Sequence, residues 1–208
     1  MKTSRIEEYL DLLFPDPNCE LNYHTDYELL IAVVLSAQST DKRVNTVTPT
    51  IFDNFPSLGA LKDARLSDLE TIIRPVGSFR KKSYYVKEIA RLIDEEYNGV
   101  VPTDRDALIK FPGVGRKTIN VFLSEFYNIP AIAVDTHVER VSKRLGLCYK
   151  NDDVLKIEKK LEKKFDKNVW SKRHLQMVLF GRYYCKSVKP ECSTCKLKDI
   201  CKEKKKNL

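Results

Sequence analysis

Long hydrophobic runs are missing from this 208-residue sequence. The longest apolar stretches, such as Leu29 to Leu35, are far too short to span a bilayer. The start of the chain also lacks the pattern of a signal peptide, because residues 1–13 form an amphipathic repeat that carries Glu7, Glu8 and Asp11. We therefore expect a soluble, cytoplasmic protein without a membrane partner.

Strand patterns are nearly absent as well. Apolar residues recur at helical spacing almost throughout, and the one β-like stretch, residues 129–134, is short and joins two helical segments. Residues 25–28 and 67–70 read Thr-x-x-Glu and Ser-x-x-Glu, so each predicts a helix start with a capping box. A longer helix is predicted from about Thr40 past Ile51, with a kink at Pro49. The predicted fold class is all-α, with short connections.

Acidic residues are fewer than basic residues in this sequence. Asp and Glu number 29 against 37 Lys and Arg, which gives a formal net charge of +8. This excess favours an anionic partner such as nucleic acid, although charge alone fits a basic protein without such a partner equally well. The closing run Lys-Glu-Lys-Lys-Lys, residues 202–206, is most simply a solvated tail.

Cysteine is concentrated near the end of the chain, where four of the six residues follow the spacing C-x6-C-x2-C-x5-C. They are Cys185, Cys192, Cys195 and Cys201. Without a signal peptide, a reduced metal site is favoured over disulfides. Four thiolates suit either tetrahedral zinc or a [4Fe-4S] cluster, and the long first spacer moves the balance somewhat toward iron–sulfur while leaving both open. Cys19 and Cys148 are expected to be small core residues.

A second motif reads Phe111-Pro-Gly113-Val114-Gly115-Arg116-Lys117 and lies between two helical patterns. Two glycines one residue apart at a helix start let the backbone turn tightly and aim N–H groups outward, where they can hold a phosphate. Taken alone, the motif is more simply a helical corner broken by Pro and Gly. Arg116 and Lys117 add positive charge at the place where a phosphate would bind.

Lys117 lies in the first turn of a predicted helix, where the helix dipole disfavours a cation. Helix stability therefore does not explain this lysine. Taken alone it is most simply a solvated surface residue, but with a partner group an amine in that setting is a candidate nucleophile. Asp135 ends the apolar stretch before the next helix, and taken alone it is most simply an N-cap. Its functional interpretation is a carboxylate that stabilises an oxocarbenium-like charge on a sugar or moves a proton.

Taken together, these motifs resemble one family. The segments 110–118 and 132–137 and the four cysteines occur in the order found in bacterial endonuclease III, a helix-hairpin-helix DNA glycosylase. The stretch Leu35-Ser-Ala-Gln38-Ser-Thr-Asp41 resembles a further motif of that family. The resemblance runs from roughly Tyr9 to Cys201, nearly the whole chain, and outweighs the simpler interpretations of the single motifs.

This resemblance implies a helix-hairpin-helix DNA glycosylase fold with two domains. A six-helix barrel would span residues 20–130 and carry the hairpin, and residues 1–19 with 131–208 would form the cluster domain. It also implies a [4Fe-4S] cluster on the four cysteines, which makes zinc the minor alternative. The expected partner is double-stranded DNA with damaged bases or abasic sites, bound by a monomer that is associated with the nucleoid.

The resemblance further implies the roles of single residues. Lys117 matches the family's nucleophile and Asp135 its catalytic carboxylate, while Gln38 matches a residue that fills the hole left by an extruded base. The remaining expected DNA contacts belong to the hairpin: Gly113, Val114, Gly115 and Arg116. After Pro75-Val-Gly77 the family pattern calls for a bulky apolar wedge, but this chain has Ser78 and then Phe79, which leaves the wedge residue open between them.

The implied reaction begins with a flipped-out nucleotide, which is easier to extrude when its base is damaged. Lys117 would attack C1′, displace an oxidised pyrimidine and leave a Schiff base, and elimination of the 3′-phosphate would cut the strand. The lack of a Walker motif agrees with this chemistry. The alternatives are a monofunctional mismatch glycosylase, whose known examples lack the hairpin lysine, and a DNA-binding module without activity.

Overall fold

The computed structural model describes residues 2–208, and the regular structure within them is entirely helical. The α-helices in chain order are α1 Lys2–Leu13, α2 Asp26–Leu35, α3 Asp41–Val44, α4 Thr48–Asn54, α5 Leu58–Asp63, α6 Leu66–Ile73, α7 Phe79–Glu96, α8 Arg105–Leu108, α9 Arg116–Phe126, α10 Thr136–Leu145, α11 Val154–Lys164 and α12 Trp170–Leu179. Short 3-10 turns at Arg74–Val76 and Lys167–Val169 and a π-helix at Phe180–Tyr184 complete the set. The all-α prediction is confirmed. Within residues 2–208 no helix is long and apolar enough to cross a membrane.

The chain divides into two compact units. One is Glu20–Phe126, here called the hairpin unit, and the other joins the chain up to Cys19 with Tyr127–Leu208, here called the cysteine unit. Each unit has its own buried centre, so each is described separately.

The hairpin unit is organised around α2 and α7. Every residue of α2 from Glu28 to Leu35 is buried, so this helix is apolar on all sides and is surrounded by its neighbours. It packs against α7 and α9, and α7 packs against α5 and α6. The capping box expected at residues 25–28 is confirmed, because the Thr25 hydroxyl accepts the Glu28 N–H and the Glu28 carboxylate accepts backbone N–H groups in return.

Two predicted helix boundaries in this unit were wrong. The helix expected from Thr40 past Ile51 is two helices, α3 and α4, and Pro49 lies in the first turn of α4 rather than at a kink. Proline is well tolerated there because the first amides of a helix have no intrahelical acceptor. Ser67 caps nothing, since α6 already begins at Leu66 with Arg65 as its N-cap residue.

The cysteine unit is built from α1, α10, α11 and α12. Ile6 and Leu10 of α1 are fully buried in one apolar cluster with residues of α10, α11 and the π-helix. A partly buried ion pair also joins α1 to α12, because both terminal nitrogens of Arg173 on α12 donate to Asp11 of α1, at 2.7 and 2.9 Å. The guanidinium of Arg173 holds the pKa of Asp11 far below its ordinary value.

The two cysteines outside the C-terminal motif differ. Cys148 is buried in the core of the cysteine unit, as expected. Cys19 is only partly buried and lies outside that core, so its assignment as a core residue was wrong.

Candidate functional site

The hairpin motif joins α8 to α9, and its first glycine is required by geometry. Gly113 has φ +78°, in the left-handed region, and a Cβ at this position would lie 2.6 Å from Tyr85 Cδ2 and 3.0 Å from Val34 Cγ1. The second glycine is different, because a Cβ on Gly115 would meet no atom within 4 Å. The space in front of Gly115 is therefore open to a ligand, while Gly113 lets the turn lie against α7 and α2.

Val114 holds the hairpin to the unit between the two glycines. Its side chain is buried, and its N–H donates to the Phe111 carbonyl at 3.1 Å. The Phe111 ring is buried in turn and lies 5.5 Å from the ring of Tyr97 at the end of α7. Because the Val114 side chain points into the protein, only its backbone is available to an outside partner.

Helix α9 begins immediately after Gly115, whose carbonyl accepts the Ile119 N–H at 3.0 Å. Arg116 and Lys117 are the first two residues of the helix, and both are exposed. The amides of the first turn precede the first intrahelical hydrogen bond, so this end of α9 carries the partial positive charge of the helix dipole. The structure thus combines the open glycine, the helix N-terminus and two cationic side chains in one short segment.

Asp135 lies in the cysteine unit and caps α10. It follows the buried, extended segment Ala131–Val134, which forms no strand, and its Oδ1 accepts the Val138 N–H at 2.8 Å. The N-cap prediction is confirmed. Within residues 2–208 no hydrogen-bond donor contacts Asp135 Oδ2, so capping employs one oxygen and leaves the other available.

Two further predicted positions are exposed residues with left-handed backbone. Gln38 has φ +56° in the loop after α2, and Ser78 has φ +47° as the residue before α7. Left-handed φ is uncommon outside glycine and is found most often at turns and functional sites. Phe79 follows Ser78 and is half-buried, with the guanidinium groups of Arg74 and Arg80 5.6 and 5.3 Å from its ring centroid.

The four cysteines of the C-terminal motif line one cavity of the cysteine unit. Burial raises the pKa of the Cys185 and Cys195 thiols, and Arg144 opposes this at Cys185 through a hydrogen bond to Sγ. Among residues 2–208 no group of three or more His, Cys, Asp or Glu side chains is arranged to hold a single metal ion.

Two arginines of α10 hold the first cysteine in place, and sequence reasoning missed both. Arg140 donates to the carbonyls of Cys185 and Gly181, at 3.0 and 2.6 Å, and Arg144 donates to the Lys186 carbonyl at 2.7 Å. Their spacing of four residues places them on one face of the helix, which is the only signal that the sequence carried. Gly181 of the π-helix allows the backbone there to lie close to α10, because a Cβ on Gly181 would lie 2.8 Å from His137 Cβ.

Comparison with known proteins identifies the family. Residues 31–167 match the profile described as HhH-GPD superfamily base excision DNA repair protein. The chain is 45% identical over 206 residues to endonuclease III of Bacillus subtilis, which covers 98% of this chain and 94% of the relative. The chain belongs to the endonuclease III family. Endonuclease III of Escherichia coli K12 is 38% identical over 192 residues, 92% of this chain and 90% of the relative.

Solved structures agree with this membership. A trapped endonuclease III–DNA covalent intermediate, an estranged-adenine complex, superposes with a TM-score of 0.92 at 46% identity and covers 97% of this chain and 96% of its own. A thermostable thymine-DNA glycosylase superposes with a TM-score of 0.86 at 21% identity, covering 97% and 95%, and shares the fold alone. The predicted helix-hairpin-helix DNA glycosylase fold is confirmed.

Proposed function

We propose that this member of the endonuclease III family is a bifunctional DNA glycosylase and AP lyase of base excision repair. It removes oxidised pyrimidines from double-stranded DNA and cuts the strand 3′ to the resulting abasic site. The observation that carries this proposal is Lys117, an exposed primary amine in the first turn of α9 directly after the hairpin. A relative of 46% identity has been trapped covalently on DNA, and Lys117 is the group that gives this chain the same capacity.

Lys117 is the one covalent nucleophile that the proposed reaction requires. Lys117 Nζ attacks C1′ of the deoxyribose, the bond from C1′ to the base breaks with its electron pair on the base, and the base takes up a proton. The nitrogen lone pair then opens the C1′–O4′ bond, O4′ keeps the electron pair and takes up a proton, and an iminium ion joins protein and sugar. Removal of a C2′ proton then expels the 3′-phosphate by β-elimination, and water hydrolyses the iminium to release Lys117.

Asp135 has two tasks in this proposal. Its Oδ1 stays on the Val138 N–H and fixes the side chain at the start of α10. Its second oxygen stabilises positive charge on the sugar as the base departs, or accepts a proton during the attack. A residue that already caps a helix is held in one rotamer, which suits a group that must meet a transition state.

The hairpin supplies the main DNA contact. The open face at Gly115, the N-terminal amides of α9 and the Arg116 guanidinium together suit one phosphate of the backbone. Gln38 fills the space left by the extruded nucleotide. Ser78 stands in the wedge position, and Phe79 lies one residue further on.

The expected substrate places the protein on chromosomal DNA, at the nucleoid of the cell, where it acts as a monomer.

We also propose that Cys185, Cys192, Cys195 and Cys201 hold a [4Fe-4S] cluster. Four cysteines around one cavity form the soft donor set that such a cluster requires, and their thiols would lose their protons on binding. The bound cluster would cross-link the C-terminal loop at four points. Cys192→Ser should therefore lose iron, sulfide and the broad visible absorption together with thermal stability. Full iron content in that variant would contradict the assignment.

Borohydride trapping tests the enzymatic proposal against its two alternatives. Borohydride added during reaction with a duplex that contains an oxidised pyrimidine should link the wild-type protein to DNA. Lys117→Gln removes the amine but keeps a polar side chain, so it should abolish trapping and strand cleavage and leave binding nearly unchanged. A monofunctional glycosylase would release the base without trapping, and a binding module would do neither. Wild-type cleavage of abasic DNA by Lys117→Gln would show that the nucleophile is wrongly assigned.

A further inference from the structure

A groove of about 560 Å³ lies in the cysteine unit at the C-terminal end of α10. Its walls carry six cationic side chains: Lys143, Arg144, Lys150, Lys202, Lys204 and Lys205. Glu203 is the one carboxylate among the described residues that line it. The groove begins eight residues along α10 from Asp135, about 12 Å at the rise of an α-helix, so it is separate from the catalytic carboxylate. We call it the basic groove.

Most of the positive charge in the basic groove is not neutralised by the protein. Lys143 pairs with Glu139 at 2.6 Å, and Arg144 pairs with Glu203 at 3.1 Å. The ammonium groups of the other four lysines are exposed and form no ion pair within residues 2–208. Four uncompensated cations around one groove repel each other, so their placement favours a polyanionic partner.

The C-terminal lysines are held at the groove by the fold. The Lys202 N–H donates to the Arg144 carbonyl at 2.7 Å, and Glu203 pairs with the same arginine. Further on, the Asn207 side chain donates to the Pro190 carbonyl at 3.1 Å. Lys202, Lys204 and Lys205 are exposed, as the interpretation of residues 202–206 as a solvated tail requires, but this segment is anchored to the rest of the unit. Local sequence could not show this, because the partners lie far away in the chain.

A glycine at the end of α10 makes room for these lysines. Gly146 ends the helix with φ +65°, and a Cβ there would lie 2.6 Å from Lys202 Cε and 3.0 Å from Lys2 Nζ. The Lys202 and Lys2 side chains therefore both reach the same point at the end of α10. The cations are thus close enough to affect one another.

An exposed aromatic ring stands at the same groove. Tyr149 keeps 73% of its surface open, although the Lys160 ammonium lies 3.8 Å from its ring centroid on one face. The Tyr149 N–H donates to Asp152, which fixes the backbone that carries the ring. An open aromatic face beside a row of cations is the arrangement by which proteins bind single-stranded nucleic acid, with a base on the ring and phosphates on the lysines.

We propose that the basic groove binds a single strand of DNA, with one unpaired base stacked on Tyr149 and the adjoining phosphates on Lys150, Lys204 and Lys205. A duplex would engage the lysines but offers no base face to the ring, which is why an unpaired strand is favoured. This inference does not depend on the glycosylase activity.

The test measures binding of the full-length protein to an oligothymidylate over a range of salt concentrations. Tyr149→Ala should weaken binding about tenfold, and Tyr149→Phe should retain it, because stacking needs the ring and not the hydroxyl. Replacing Lys150, Lys204 and Lys205 by Gln should lower the slope of log affinity against log salt by about 2. The control carries Gln at Lys159, Lys163 and Lys167, which are exposed lysines of the same unit outside the groove, and should change the slope less.

Photocrosslinking gives a direct readout. An oligothymidylate with one 5-iodouracil should crosslink to Tyr149, as located by mass spectrometry of the digested adduct. Crosslinks elsewhere alone, or an unchanged affinity in Tyr149→Ala, would overturn the proposal. If Tyr149→Ala lost affinity equally for duplex and single-stranded DNA, this would also overturn the proposal, because base stacking on the ring would then make no contribution. Borohydride trapping of the same variants should stay at the wild-type level, so a failure of the groove and a failure of Lys117 chemistry can be told apart.

Discussion

Replacing Gly113 by alanine tests whether steric contact fixes the hairpin. The added Cβ would lie 2.6 Å from one Tyr85 ring carbon, 2.9 Å from the next and 3.0 Å from Val34 Cγ1. Forcing a methyl group into that space costs about 1–3 kcal/mol. A left-handed φ costs a non-glycine residue about 1–2 kcal/mol more. We therefore expect Gly113→Ala to lower the free energy of unfolding by about 2–5 kcal/mol, which is about 4–20 °C in melting temperature for a chain of this size.

A double-mutant cycle separates the two causes. Tyr85→Ala removes the two closest contacts and leaves the one with Val34 Cγ1, so in that background Gly113→Ala should keep its backbone cost and cost about 1–3 kcal/mol less than alone. Gly115→Ala is the matched control, because its Cβ meets nothing within 4 Å, and it should cost less than about 1 kcal/mol. Thermal and urea unfolding followed by circular dichroism measure all of these variants. Equal stability of Gly113→Ala and Gly115→Ala would refute the steric account.

Three further perturbations test the site and its surroundings. Gly115→Asp places a negative charge in the open space before α9, so it should weaken binding to every DNA sequence alike by about tenfold or more. Gly115→Ala should bind DNA nearly as well as the wild type. Unchanged affinity of the Asp variant would mean that the hairpin is only a structural corner. Asp135→Asn keeps a good N-cap, so it should slow base release severely without changing the free energy of unfolding. Asp135→Ala should slow base release and also lower the free energy of unfolding by about 1 kcal/mol. Fast base release by the Asn variant would show that the carboxylate has no part in the mechanism. Burial raises the pKa of Glu125 to about 7, and its Oε1 has no hydrogen-bond partner within residues 2–208. The neutral carboxyl is favoured by folding, so its contribution to stability is complete below the ordinary value of 4.5 and is lost as pH rises through about 7. Glu125→Gln should thus gain up to roughly 2–3 kcal/mol over the wild type above about pH 8, and a stability difference that does not vary with pH would contradict this.

Local signals fixed the helix content and most helix starts. The capping box at residues 25–28 and the N-cap at Asp135 need only neighbouring residues, and both were predictable. The wrong predictions at Pro49 and Ser67 arose where a short pattern fits two local structures and packing selects one of them. Proline is well tolerated in the first turn of a helix as well as at a kink. A serine inside a helix cannot be distinguished by local sequence from a serine that caps one.

The sequence by itself determined the family, the motif order and the residues on which the proposed chemistry depends, because these are properties of residue type and spacing. Only the tertiary structure decided that Gly113 is sterically required while Gly115 is open, since Tyr85 and Val34 are distant in the chain. It also decided that Arg140 and Arg144 hold the Cys185 loop and that the final lysines lie against the end of α10. The physical reason is the same in each case: a hydrogen bond or a close contact between residues far apart in sequence leaves no local pattern, so it becomes visible only when the chain has folded.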